Sequence, residues 1–124
     1  MTDCLVVAAG GAIGAVCRFL IGKIQAGGTG GFPVKTFIIN ILGCFLIGIV
    51  AALALKQFSA APKLVLFLKV GVCGGFTTFS SFALETGELM QKGEYVTASA
   101  YVILSVTIGV AALFAAQYLM GKLA

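Results

Sequence analysis

The stretch "GGFTTFSSF", Gly74 to Phe82, concentrates the uncharged chemistry of this chain. Thr77, Thr78, Ser80 and Ser81 place hydroxyls close together, and Phe76, Phe79 and Phe82 recur at every third position. A hydroxyl offers a donor without a formal charge. A phenylalanine ring has an electropositive edge and a negative face. Ring edges and hydroxyls together suit a small anion and need no buried cation. Two further groups have the same character. Asn40 is a lone amide in an apolar run, and its type fits equally an interhelical hydrogen bond, worth on average about 0.6 kcal/mol in lipid, or a donor on a polar path. Thr97, Tyr101 and Ser105 follow at intervals of four, with Gly109 next, and so share one face of a helix. That line favours a hydrated or anion-lining surface. Ser99 and Thr107 fall off it and are read as bonding back to their own backbone.

The backbone of the opening stretch is a candidate as well. Gly74-Gly75 weakens a helix, and four neighbouring hydroxyls compete for its backbone bonds. A break in mid-membrane is expected there. Such breaks persist only where protein or a water cavity satisfies the freed groups, and the freed carbonyls can coordinate a cation. No acidic residue lies centrally in any apolar run, because Glu85 closes the third and Asp3, Glu88 and Glu94 lie outside. This argues against a proton-coupled or cation-selective centre.

Four elements must position these residues. The 124 residues are 60% hydrophobic and 10% charged, whereas a soluble domain carries about 25% charged residues. The apolar runs are Cys4 to Ile21, Phe37 to Leu55, Leu64 to Leu84 and Tyr95 to Met120. Each approaches or exceeds the roughly 20 residues that cross a bilayer as a helix. Arg18 and Lys69 interrupt two runs near their ends, where long cationic side chains reach the interface. The first run lacks the basic lead and cleavage site of a signal peptide, so it reads as a span. The connections are too short to hold a catalytic extramembrane domain, and nothing indicates a nucleic-acid partner. Gly10 and Gly14 in the first run, and Gly71 and Gly75 in the third, have the small-residue spacing that lets helices approach in lipid. Thr36, Asn40, Gly43 and Gly48 are placed on one side of the second helix. Gly27 to Gly31 reads as a flexible loop stopped by Pro33.

Several motifs are set aside. "GGTGGFPVKT" lacks the glycine spacing of a phosphate loop, and "GGAIGA" has the wrong offsets for a dinucleotide fingerprint. Cys4, Cys17, Cys44 and Cys73 form no close pair and have no histidine to complete a metal site, so they read as small packing residues. The cations divide evenly. Lys56, Lys63, Lys69 and Lys122 fall on the side of the termini; Arg18, Lys23, Lys35 and Lys92 fall on the other. Orientation follows an excess of Lys and Arg on one side. A four-against-four count predicts copies inserting both ways up.

The motifs "GGAIGAVCRF", "NILGCFLIG" and "GVCGGFTTFSSFALE" resemble those of the small fluoride channels known as the Fluc or CrcB family, and the four-span layout covers the whole chain. The resemblance implies an all-α integral membrane protein of four transmembrane helices, broken in the third. It implies an antiparallel, dual-topology homodimer with two fluoride pathways. It also implies a structural sodium ion at the dimer centre, held by the backbone carbonyls of Gly74 and Thr77. Phe79 and Phe82 would line the anion pathway with Asn40, Ser80, Ser81, Tyr101, Ser105 and Glu85. Arg18 would stand near the entrance, and Phe76 would pack. Ser81 departs from the threonine of many relatives, and Gly109 ends the fourth-helix stripe without a hydroxyl. The reading is a passive fluoride channel, not an enzyme, in a bacterial-type inner membrane. The rival readings are a small multidrug-type dual-topology transporter, which would need an acid within the first span, and a noncatalytic packing protein.

Overall fold

In the computed structural model the described residues are 1–24, 31–57, 59 and 61–123. The glycine loop read at Gly27 to Gly31 therefore lies mostly outside them. With no water in hydrocarbon to bond a bare backbone, an apolar chain crosses a bilayer by satisfying its groups internally. The four expected elements accordingly form helices. The first is Thr2–Lys23, the second Val34–Lys56 and the fourth Tyr95–Leu123. The third span extends over Pro62–Gln91 in several pieces. All four are long and apolar enough to cross a membrane, and no strand occurs among the described residues. The protein is thus a multi-pass membrane protein.

Two helix pairs make up the bundle. The first helix packs chiefly on the third, and the second chiefly on the fourth. Glycines set both contacts. A methyl group at Gly10 would sit 2.9 Å from Gly71 Cα, and one at Gly71 would meet Gly10 Cα at 2.8 Å. One at Gly75 would lie 2.6 Å from the Gly11 carbonyl oxygen. At Gly14 an added methyl would run into the Val72 carbonyl, and beside it Phe76 is buried. The four glycines read from the sequence as a close-approach pair are therefore pressed backbone to backbone. Gly48 departs from the expected side. It meets Leu113 and Ala116 of the fourth helix, while Gly43 abuts Thr77 of the third. Five residues turn a helix about 140° past one full turn, so the two glycines serve different neighbours.

The third span is the irregular one. It starts at Pro62, whose fixed φ suits a first helical position. Phe67–Cys73 is π-helical, and Gly74–Phe76 returns to α geometry. The chain then leaves the helix at Thr77 and resumes it over Phe79–Gln91. The π segment has no marker in the sequence. It coincides with the stretch held against the first helix through Gly71, and packing rather than propensity sets such turns.

Candidate functional site

The break is built from both sides. Gly74 keeps helical angles, φ −64° and ψ −38°. The backbone becomes extended only at Thr77 (φ −84°, ψ 158°) and Thr78 (φ −148°, ψ 113°). The interruption thus falls after the glycine pair, at the paired threonines. Thr78 caps the second half: its Oγ1 accepts the Ser81 N–H at 3.2 Å and donates to Ser81 Oγ at 3.1 Å. Asn40 reaches across from the second helix. Its Oδ1 accepts the Thr78 N–H at 2.8 Å, and its Nδ2 donates to the Thr78 carbonyl at 3.1 Å. Of the two readings left open by its type, Asn40 makes the interhelical hydrogen bond, and it makes it at the break itself.

In a continuous helix the Thr78 N–H would close on the Gly74 carbonyl and the Ser81 N–H on the Thr77 carbonyl. Those two donors are given to Asn40 and to Thr78 Oγ1 instead. The Gly75 carbonyl accepts Arg18 Nε at 3.2 Å. The Cys73 carbonyl takes both the N–H and the Oγ1 of Thr77, at 3.1 and 3.0 Å. Gly74 and Thr77 are thereby released from their helical donors, and their oxygens suit a hard cation. Both residues line an open, mostly apolar cleft of about 310 Å³ with Asn40, Cys73 and Phe79. The described residues hold no cluster of His, Cys, Asp or Glu that could bind a metal. A cation here would have uncharged oxygens as its ligands.

Beyond the break an aromatic run begins. Phe79 and Phe82 are 5.7 Å apart between centroids, and Phe82 lies 4.9 Å from Tyr101. Phe79 is 79% exposed, whereas Tyr101 is fully buried. Phe32 stacks edge-on against both Tyr101 and Phe37, each at 5.4 Å. The run ends on Glu85, whose Oε1 accepts the Tyr101 hydroxyl at 2.8 Å and whose Oε2 accepts Thr36 Oγ1 at 2.7 Å. The sequence placed Glu85 at the end of the third apolar run. The helix continues to Gln91, and two hydroxyls bond the Glu85 carboxylate beside the start of the second helix.

The fourth-helix stripe also differs from a simple hydrated surface. Within the chain it packs on the second helix, with Gly109 facing Cys44. The Tyr101 hydroxyl is committed to Glu85. Ser105 Oγ is buried without a hydrogen-bond partner. Thr107 bonds back to the Ile103 carbonyl at 2.7 Å, as read from its place off the stripe. Ser80 is exposed and Ser81 half-buried.

A second cavity of about 330 Å³ joins Arg18, Lys23, Lys35, Thr36, Ser81 and Glu85. The structure therefore brings Arg18, Ser81 and Glu85 together at one cavity and Asn40, Gly74, Thr77 and Phe79 at the other. Thr36, Thr78, Lys35 and Phe32 were not singled out as site residues. Thr36 lies one turn before Asn40, and Thr-Phe-Ser-Ser has the form of a helix N-cap, so both carried a signal. Phe32 and Lys35 carried none, because their neighbours are far away in sequence.

The family described as CrcB-like protein, Camphor Resistance (CrcB), matches residues 5–117. Curated relatives agree along nearly their whole length. A protein of Chlorobaculum tepidum named fluoride-specific ion channel FluC is 47% identical over 120 residues, covering 96% of this chain and 94% of its own. One of the same name from Nitrobacter winogradskyi is 48% identical, covering 92% of this chain and 91% of its own. Another from Rhizobium etli is 42% identical and covers 99% of each.

Proposed function

The chain belongs to the CrcB family, and from that premise we propose that it is a passive fluoride channel, assembled as an antiparallel dimer with two pathways. Its relatives carry the name of fluoride-specific ion channels. The observation that supports this reading most is the aromatic run Phe79, Phe82, Tyr101, which leads away from the cleft at the break. An anion shed of its water needs donors fixed in place. Ring edges at Phe79 and Phe82 offer positive potential without a competing charge. Asn40 and Thr78 hold the backbone from which Phe79 projects. Ser80 and Ser81 lie beside it, and Tyr101 and Ser105 continue the path on the fourth helix. Thr36 and Tyr101 give their single hydroxyl protons to Glu85, so the hydroxyls left to donate to a passing anion are those of Ser81 and Ser105. Arg18 joins the entrance cavity to the break through the Gly75 carbonyl.

The exposed Phe79 and the open cleft before it indicate that a single chain leaves the pathway unwalled, and a second copy is the cover proposed. The carbonyls of Gly74 and Thr77 would hold a sodium ion where two copies meet, four oxygens in all. When bound, that ion neutralises the carbonyl ends of the half-helices. Fluoride enters cells as neutral hydrofluoric acid and dissociates inside, so a passive path in the inner membrane lets the trapped ion leave down its gradient.

A multidrug-type transporter is less well supported. Asp3, the acid nearest the first span, is exposed and pairs with Lys63 at 3.0 Å at the helix end. Expression in bacteria stripped of fluoride export distinguishes the readings. The fluoride reading expects growth restored in fluoride and no protection against lipophilic cations. Protection against the cations alone would overturn it.

A further inference from the structure

Tyr101 stands where the aromatic run meets Glu85, and one of the rings that hold it comes from outside the helices. Its side chain is the largest that is fully buried among the described residues. Its hydroxyl donates to Glu85 Oε1 at 2.8 Å, and its ring lies 4.9 Å from Phe82. The other ring against it is Phe32, edge-on at 5.4 Å and 76°, the T-shaped arrangement that aromatic pairs favour. Phe32 stands just before the second helix, whose N-cap is Pro33 and whose fourth residue is Phe37. Phe32 and Phe37 meet edge-on at 5.4 Å and 74°. Rings at these two positions form a hydrophobic staple, which fixes the angle at which a chain enters its helix. Thr36, the donor to the other Glu85 oxygen at 2.7 Å, lies in that same first turn. The backbone that delivers the staple is equally specific. Gly31 has φ +77°, and a methyl group there would lie 3.0 Å from Glu94 Oε2 and 3.9 Å from Leu89. That left-handed conformation strains any side chain but suits glycine. Leu89 and Ala98 form with Tyr101 the buried cluster on which Phe32, Phe37 and Phe82 pack.

We infer that Phe32 is a positioning residue for the fluoride path. One ring sets Tyr101 directly and Thr36 through the start of the second helix, and so orients both donors on Glu85 together with the Phe82 ring. The inference rests on the fluoride-channel reading and adds to it a residue that lines neither cavity. The hydrogen bond at the tip of Tyr101 lies near the long axis of its ring. It leaves rotation about that axis free, and that torsion is intrinsically broad. Contacts on the sides of the ring fix it, and the aromatic ones are Phe82, in the path, and Phe32, outside it. Without Phe32, Tyr101 and Phe82 lose their mutual orientation, and the bond to Glu85 loses its alignment, on which its strength depends. Packing alone would make Phe32 a stability residue, with no effect on the flux of molecules that fold.

The experiment uses the full chain, with Tyr95→Phe/Tyr118→Phe as the parent. The chain has three tyrosines and no tryptophan, so Tyr101 is then the sole source of tyrosine emission. A phenol bonded to a carboxylate emits weakly, because its excited state passes the proton across. Fluoride efflux from liposomes, at constant sodium, is normalised to protein that elutes as folded. Phe32→Leu keeps an apolar side chain and removes the ring edge. It should lower the flux about twofold or more and brighten Tyr101. Gly31→Ala leaves every ring in place and strains the backbone just before Phe32. It should move both readouts the same way by less, and it carries the test if Phe32→Leu does not fold. Parent flux in the folded variant would overturn the inference. A lower flux with Tyr101 emission unchanged would overturn it too, since Phe32 would then act elsewhere. A parent that releases no fluoride would instead remove the channel reading, while the emission would still show whether Phe32 holds Tyr101.

Discussion

Selectivity in this account rests on individual side chains that are polar at an edge or a hydroxyl and nowhere charged. Phe79 and Phe82 are the test of it. In the proposed path each ring would show an anion its edge, and isoleucine keeps the bulk while removing the quadrupole. Aromatic pairs contribute about 0.5–1.5 kcal/mol through the same quadrupole, and an edge contact to an anion of that size would correspond to roughly two- to twelvefold in rate. Phe79→Ile and Phe82→Ile should each lower fluoride flux by an amount in that range while the protein elutes unchanged on size exclusion. Unchanged flux in both would remove ring edges from the path. Phe76 stands one repeat earlier and is a different residue physically. It is buried beside Gly14 and takes part in packing. The sequence period of three could not separate the rings; the break between Phe76 and Phe79 does.

The elements show which parts of the fold were legible. Four spans follow from apolar length, because a chain in lipid must satisfy its backbone within each helix. The glycine contacts of the first and third helices follow from a spacing of four. The break was expected over Gly74 to Thr77, on the ground that the glycine pair weakens the helix and the neighbouring hydroxyls compete for its backbone bonds. It falls at the end of that stretch, at Thr77 and Thr78, because two acceptors, Asn40 Oδ1 from the second helix and the capping Thr78 Oγ1, offer the backbone N–H groups alternative partners. The π-helical stretch and the joint hold of Thr36 and Tyr101 on Glu85 were not legible, since each depends on contacts between distant segments. The released carbonyls carry their own expectation. If Gly74 and Thr77 hold sodium between two copies, replacing sodium with a bulky organic cation should raise the fraction of monomer in dilute detergent. A dimer indifferent to sodium would leave these oxygens without that role.

For the molecule as a whole, the governing quantity is the even division of cations. As read from the sequence, four on each side would give the insertion machinery no preference, and the proposed antiparallel dimer would require both orientations from one sequence. Gln57→Lys with Ser59→Lys would add two positive charges to the connection on the side of the termini. Those chains should insert with that connection in the cytoplasm, and alone they should lose most fluoride flux. Co-expression with Glu88→Lys/Gln91→Lys, biased the other way, should restore it. Full activity of either variant alone would show that opposed copies are not needed. The most direct test of the account is selective release. Purified protein in liposomes loaded with equal fluoride and chloride, at constant sodium, should release the fluoride rapidly once a potassium ionophore balances the charge, and should retain the chloride. Retention of both ions by a folded protein, or their release together, would contradict a fluoride-selective path along Phe79, Phe82 and Tyr101.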